Sequence, residues 1–347
     1  MKRILLLLIM FNLIAVFAFS QSALQTAATI NLIRTEPITL GQLQTEVGNL
    51  ERAMRRTLNE DERRQVLDAM INERLVMQAA ERDRVNVSDN EVNQHLNELR
   101  SMLAQSMGRQ PTDAEFEQAV RNETGMALAA YREQIRKQIL SQKYLVLKKE
   151  TLLNSFKLPT ESEVRSEYEL SRSSFVRPET VRFSMIQIPY GPDATSRARA
   201  RETGDRLIRE IASNPSRFDE VAARSVTPNS GYMAGDAGFL PRNQEARNIV
   251  GQQLMDAAFS LRQGQVSTLI EGLQGFHIIK ITENYAQKNL ELDDILQLGT
   301  RITVKDYITQ MMAEHRQQAI IKQASEELIS ELRTGRSYQI ILTNFNW

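Results

Sequence analysis

The chain has no cysteine among its 347 residues, and only three histidines, one tryptophan and nine prolines. Without thiols there can be no disulfide scaffold, Cys-ligated zinc, iron–sulfur cluster, thiol nucleophile or lipid-modified N-terminal Cys. Charge of one sign is also lacking in excess, since 43 Lys and Arg balance 43 Asp and Glu. Nothing therefore pulls the chain as a whole toward nucleic acid or a charged surface. A Walker phosphate loop, a dinucleotide glycine fingerprint after a strand, a His-Glu-x-x-His pair and a Gly-x-Ser-x-Gly elbow are all missing, which removes the usual support for nucleotide, zinc-protease and serine-hydrolase chemistry. His95, His277 and His315 are too scattered to suggest a ligand cluster. No metal and no cofactor are expected.

What is present can fold. With 41% hydrophobic and 25% charged residues, the chain can bury a core, and its length suits two or three domains. Met1-Lys2-Arg3 precedes an apolar run from Ile4 to Phe19, broken only by Asn12, and Ala18 and Ser20 stand at the minus-three and minus-one positions. This pattern reads as a secretory signal peptide over residues 1–20, cleaved after Ser20, with a retained membrane anchor as the alternative. No other long apolar run follows, so the mature protein is expected in the periplasm or another extracytoplasmic space, with no membrane-spanning segment.

From about residue 37 to 170 the chain reads as a series of helices. Thr39 and Gln42, Asn59 and Glu62, Ser88 and Glu91, Thr112 and Glu115, and Thr160 and Glu163 each have capping-box spacing. In such a box the first side chain accepts from a free N–H of the first turn, and the Glu or Gln returns the bond. Val66 to Ala80 carries a broad apolar stripe at helical spacing. Met54, Met70, Met77, Met102, Met107 and Met126 suit either core filling or an adaptable groove for unfolded chains.

After Pro178 the period changes. Glu179 to Tyr190 alternates as a strand does. A helix over Ala194 to Ser213 follows, with Arg197, Arg199, Arg201, Arg206 and Arg209 on a solvated face, and then a short helix over Phe218 to Arg224. A Gly-rich turn (Gly231, Gly235, Gly238), a helix over Leu254 to Leu261, and strands over Val266 to Ile270 and His277 to Ile281 complete a compact α+β unit. A long helix from about Val304 to Arg333 and a strand over Tyr338 to Thr343 remain. That strand is expected to pair with one near Thr29 to Ile33, although the Asn344-Phe345-Asn346-Trp347 end also suits a recognition tag. The economical architecture is α+β: a mainly helical module split in sequence, with a small α+β domain inserted before its last helix.

The insert resembles the parvulin (PpiC or rotamase) type of peptidyl-prolyl isomerase. The residues that carry the resemblance run in family order over about 179–284: Val181-Arg182-Phe183-Ser184-Met185-Ile186, Phe218-Asp219-Glu220-Val221-Ala222 with Ser225, Gly235-Asp236-Ala237-Gly238-Phe239, Ala257-Ala258-Phe259, Gly264-Gln265-Val266-Ser267 and Gly275-Phe276-His277. The exported helical flanks are similar to those of SurA- and PrsA-type chaperone foldases. The resemblance implies a chaperone module over 21–177, an isomerase-like domain over 178–284 and a completing segment over 285–347. It further implies a proline pocket formed by Leu254, Phe259 and Val250 above a floor at Met185, with His277 on the polar side and Thr227 near the X–Pro amide.

Two positions depart from the family pattern. Met185 stands where members usually carry His, so the paired-histidine network is missing, and Thr227 stands where Cys or Asp is expected. Two functions follow. One is an exported folding factor that binds unfolded secreted or outer-membrane polypeptides and isomerises their X–Pro bonds. The other is a non-catalytic binding or assembly protein that keeps the parvulin fold as a scaffold. Neither engages nucleic acid.

Overall fold

The computed structural model describes residues 24–347 except 192, 213, 215 and 229. The expected signal segment thus lies outside the described residues, and no described helix is long and apolar enough to cross a membrane. In chain order the strands are β1 (Thr26–Asn31), β2 (Thr35–Thr39), β3 (Val176–Arg177), β4 (Thr180–Pro189), β5 (Met233–Pro241), β6 (Ile270–Glu271), β7 (Gly275–Tyr285), β8 (Lys288–Asn289) and β9 (Tyr338–Ile340). The helices are α1 (Leu40–Met54), α2 (Glu60–Arg82), α3 (Asp89–Met107), α4 (Asp113–Thr124), α5 (Leu128–Leu153), α6 (Glu161–Ser171), α7 (Ala194–Ala212), α8 (Arg217–Ala223), α9 (Gln244–Val250), α10 (Gln252–Ser260) and α11 (Val304–Leu332). Two compact units result: one runs to Phe156 and resumes at Arg316–Trp347, and the other is Lys157–His315.

All five expected capping boxes form, four in the first unit at the starts of α1, α2, α3 and α4, and one in the second at the start of α6. Each satisfies two backbone donors that a helix start otherwise leaves open. One core gathers Ile30 and Ile38 from the strands, Leu43 from α1, Leu67, Ile71 and Leu75 from α2, and Tyr144 from α5. Leu328 and Leu332 of α11, with Leu342 and Phe345 beyond β9, enter the same core. β1 lies between β2 and β9, all antiparallel, with Ala28 opposite Ile340 and Ile30 opposite Tyr338. The expected pairing of the final strand with the first is therefore present. Near the end of α5, Lys149 reaches Glu327 at 3.1 Å and Glu331 at 2.7 Å, tying that helix to α11. A separate cluster of Val92, Leu96, Phe116, Val120 and Ile135 packs α3 and α4 on the start of α5.

In the second unit a four-stranded antiparallel sheet has the order β5-β4-β7-β6. Because side chains alternate along a strand, β4 and β7 divide two apolar layers. Ile186, Ile188, Phe276 and Ile278 face α7 and α8, while Val181, Phe183, Ile279 and Ile281 face α9 and α10. The unit extends beyond 178–284 because Val164 and Tyr168 of α6 close on Phe175, Leu290, Val304 and Ile308. Two local expectations need correction. Gly235 and Gly238 lie within β5 rather than in a turn, where Ala237 is an extra residue between the Asp236–Ser184 and Gly238–Phe183 pairs. Gly238 there has a φ of +80°, which glycine tolerates and which lets the strand bulge. The expected strand over Val266 to Ile270 is reduced to a single bridge at Val266 and the short β6, since the Ser267 hydroxyl accepts from the Ile279 N–H at 3.0 Å in place of a backbone carbonyl.

The chain end is part of the first unit's core. Phe345 is only 1% exposed, and Arg63 donates to the carbonyls of Phe345 and Trp347 at 3.1 and 2.6 Å. Phe345→Ala should destabilise that unit by about 3–5 kcal/mol, the usual cost of emptying an aromatic core site. Urea unfolding followed by circular dichroism would measure it, and a shift below about 1 kcal/mol would mean the end is only loosely attached.

Candidate active site

The site lies on the α9 and α10 side of the four-stranded sheet. Met185 on β4 pairs with Ile279 on β7, and Gln187 pairs with His277. Residues two apart on a strand share a face, as do directly opposed cross-strand partners, so Met185, Gln187, His277 and Ile279 project together. Leu254 is buried in this layer, with Met185, Val250 and Phe259 half-buried against it. Five of the six expected positions, Met185, Val250, Leu254, Phe259 and His277, thus converge on one layer.

The sixth is Thr227. It is exposed, follows the 3-10 turn after α8, and donates its hydroxyl proton to the Arg224 carbonyl. In this arrangement the hydroxyl proton is already committed, so it supplies no free donor to an amide. His315 is exposed and His95 half-buried, both on helices. The five arginines of α7 are exposed. Arg197 stacks over Tyr190 at 4.5 Å and pairs with Glu271.

Two glycines hold His277 in place. A Cβ on Gly272 would meet the Nε2 and Cδ2 atoms of His277 at 2.4 and 2.5 Å, and one on Gly275 would meet the Ile188 carbonyl oxygen at 2.4 Å. The turn that joins β6 to β7 is fastened by Gly272 N–H donating to the Gly275 carbonyl at 2.8 Å and by the Tyr190 hydroxyl donating to the Gly272 carbonyl at 3.1 Å. The imidazole is 8% exposed and its Nδ1 is buried without a partner. Burial pushes its pKa below the ordinary 6.5, because a low-dielectric surrounding disfavours the charged ring. Near neutral pH the site therefore offers a neutral imidazole beside an apolar pocket.

Sequence reasoning missed Gln187 and Gly272, and beside them two exposed apolar residues. Ile249 at the end of α9 and Leu273 in the β6–β7 turn are each 72% exposed, and Leu273 lies 3.8 Å from where a Cβ on Gly251 would stand. The two-residue spacing from Met185 was the available signal for Gln187.

The first unit holds a groove of about 1520 Å³. Leu50, Met54, Leu58, Met70, Met126 and Leu145 give it apolar walls, and Met54 is 50% exposed. Three of the six methionines singled out in the sequence line it. Met77 packs against the core instead, and Met102 and Met107 are exposed on α3.

Residues 1–145 match the model of the SurA-like N-terminal domain, and residues 159–297 match that of the PPIC-type PPIase domain. The chain is thus similar in its first part to a SurA-like N-terminal domain and in its second part to a PPIC-type PPIase domain. Among curated proteins, the chaperone SurA of Chromohalobacter salexigens is 25% identical over 228 residues, covering 66% of this chain and 48% of its own. The foldase protein PrsA of Clostridium botulinum is 21% identical over 297 residues, covering 83% and 78%. The chain thus spans about half the length of the SurA relatives it matches. A solved SurA-like chaperone of Campylobacter jejuni aligns over 90% of this chain and 99% of its own, at 17% identity and a TM-score of 0.33. The residues matched by the PPIC-type model hold the four-stranded sheet, the pocket and His277. The groove lies in the unit that contains the SurA-like domain.

His277 also makes stability depend on pH. Its folded pKa is depressed, so below about 6.5 the unfolded chain binds more protons than the folded one, and stability is lost as pH falls through that window. His277→Gln should flatten this dependence in urea midpoints taken from pH 7.5 to pH 5. An unchanged slope in the variant would mean that another group sets it.

Proposed function

We propose that the protein is an exported folding factor whose groove holds unfolded polypeptide and whose PPIase domain isomerises X–Pro bonds. The observation that carries this reading is the convergence of Met185, Val250, Leu254, Phe259 and His277 on one face of the sheet, within a domain of PPIC type. Amide resonance sets a rotation barrier of ~18–20 kcal/mol, and unassisted isomerisation takes tens to hundreds of seconds. Catalysis needs only tighter binding of the twisted amide than of either planar form. An apolar pocket for the ring and a fixed polar group at the amide supply that difference without a cofactor or a metal. Val250, Leu254 and Phe259 receive the proline ring over Met185, and His277 faces the amide.

Export rests on the N-terminal segment, with cleavage after Ser20 and action in the periplasm or an equivalent compartment. Clients are unfolded secreted or outer-membrane chains. The Met-lined groove suits them, because methionine adapts its shape to varied apolar side chains. The chaperone module is then the unit that runs to Phe156 and resumes at Arg316, and the isomerase-like part is the unit Lys157–His315, wider at both ends than the 178–284 expected from sequence.

A second reading, a non-catalytic chaperone with the PPIase fold as scaffold, is favoured by Met185 in place of His and by the Thr227 hydroxyl being bonded to the Arg224 carbonyl. One set of measurements on the mature chain decides between them. The working isomerase accelerates cis-to-trans conversion of a proline tetrapeptide and loses at least about tenfold in kcat/KM on His277→Ala. Met54→Glu combined with Met126→Glu weakens suppression of aggregation of an unfolded outer-membrane protein and leaves peptide isomerisation intact. Wild-type protein that suppresses aggregation but does not isomerise establishes the scaffold reading, and failure in both assays defeats both.

A further inference from the structure

The Nδ1 of His277 is a buried polar atom with no partner, and such atoms in a native fold call for an explanation. The imidazole edge carrying Cδ2 and Nε2 lies against Gly272, on the side of the β6–β7 turn. The opposite edge, which carries Nδ1, therefore faces away from that turn. On β4, directly across from His277, stands Gln187. It is half-buried, and its carboxamide makes no hydrogen bond among the described residues. Directly opposed residues of an antiparallel pair have Cβ atoms about 4.5–5.5 Å apart, a span that the three side-chain torsions of glutamine cover by a change of rotamer. No other polar residue takes part in this row of the sheet, since Met233 lies beyond Gln187 on β5 and Ile270 beyond His277 on β6.

We infer that Gln187 is the positioning residue of this site, donating a carboxamide N–H to Nδ1 of His277 so that the ring proton stays on Nε2, the nitrogen that meets the X–Pro amide. The tautomer of a neutral histidine is set by the hydrogen bond its other nitrogen makes. Glutamine can supply either a donor or an acceptor, whereas the thioether of Met185, two residues away on the same face, has no donor. The inference deepens the isomerase reading and rests on it for the role of Nε2, but the pairing itself can be read without any activity.

The test is long-range proton–nitrogen NMR on the nitrogen-15-labelled mature chain. With three histidines in the sequence, the His277 signals are those lost in His277→Gln. The wild type should show the Nε2–H tautomer. In Gln187→Glu, a near-isosteric change, the carboxylate can only accept, and the proton should move to Nδ1. Gln187→Leu should give a mixture of tautomers and roughly a tenfold loss in kcat/KM for the proline peptide, equivalent to the upper range for one hydrogen bond. A wild-type Nδ1–H tautomer, or His277 shifts unchanged in both variants, overturns the inference. A wild type that shows the expected tautomer response yet fails to isomerise supports the positioning role of Gln187 and removes only the isomerase reading.

Discussion

The register between β4 and β7 is the constraint on which the second unit depends. Phe183 opposite Ile281, Met185 opposite Ile279 and Gln187 opposite His277 put one set of side chains under α9 and α10, while Ile186 opposite Ile278 and Ile188 opposite Phe276 put the alternate set under α7 and α8. Side chains alternate with a period of two, so a slip by one residue would exchange the two layers and bring His277 out of the pocket. The glycines act on this register as much as on the histidine. Gly275 ends the pairing where β7 meets Pro189, with no room for a Cβ against the Ile188 carbonyl.

A second constraint is topological. β1 is completed on one side by β2, a few residues away in sequence, and on the other by β9, some three hundred residues later. The second unit is continuous in sequence and closes within its own span, but the first cannot finish its sheet or its core until Leu328, Leu332 and Phe345 arrive. Loop-closure entropy grows only logarithmically with length, so the long separation is thermodynamically tolerable, although contacts at such separation slow folding.

Legibility in the sequence followed how local the cause was. Every capping box could be read, because Thr39 and Gln42 or Asn59 and Glu62 meet across one helical turn whatever else the chain does. β4 showed through its alternation. The glycines of β5 suggested a turn because the bulge at Ala237 breaks alternation and glycine has no side chain to show a face. The shortness of β6 depended on the Ser267 hydroxyl meeting Ile279 twelve residues away, a tertiary event. In the site, the pocket residues followed from ordered motifs, whereas the environment of Thr227 was set by its local bond to Arg224. Lys149, whose partners lie on α11, gave no local sign of its near-complete burial.

Replacing a histidine by Met185 changes more than a hydrogen bond. Two close imidazoles can share a proton and hold one another's orientation, but a thioether offers neither a donor nor a titrating group. What it adds is apolar surface to the layer that holds Leu254, Val250 and Phe259. That surface also dries the surroundings of His277, which helps keep the remaining imidazole neutral by disfavouring its charged form. A neutral ring in a dry site makes a stronger hydrogen bond than it would in water, but only if its orientation is fixed by neighbours. Gly272 fixes one edge by contact. The other edge is buried but unpaired, so the precision of the site is limited by whatever satisfies Nδ1.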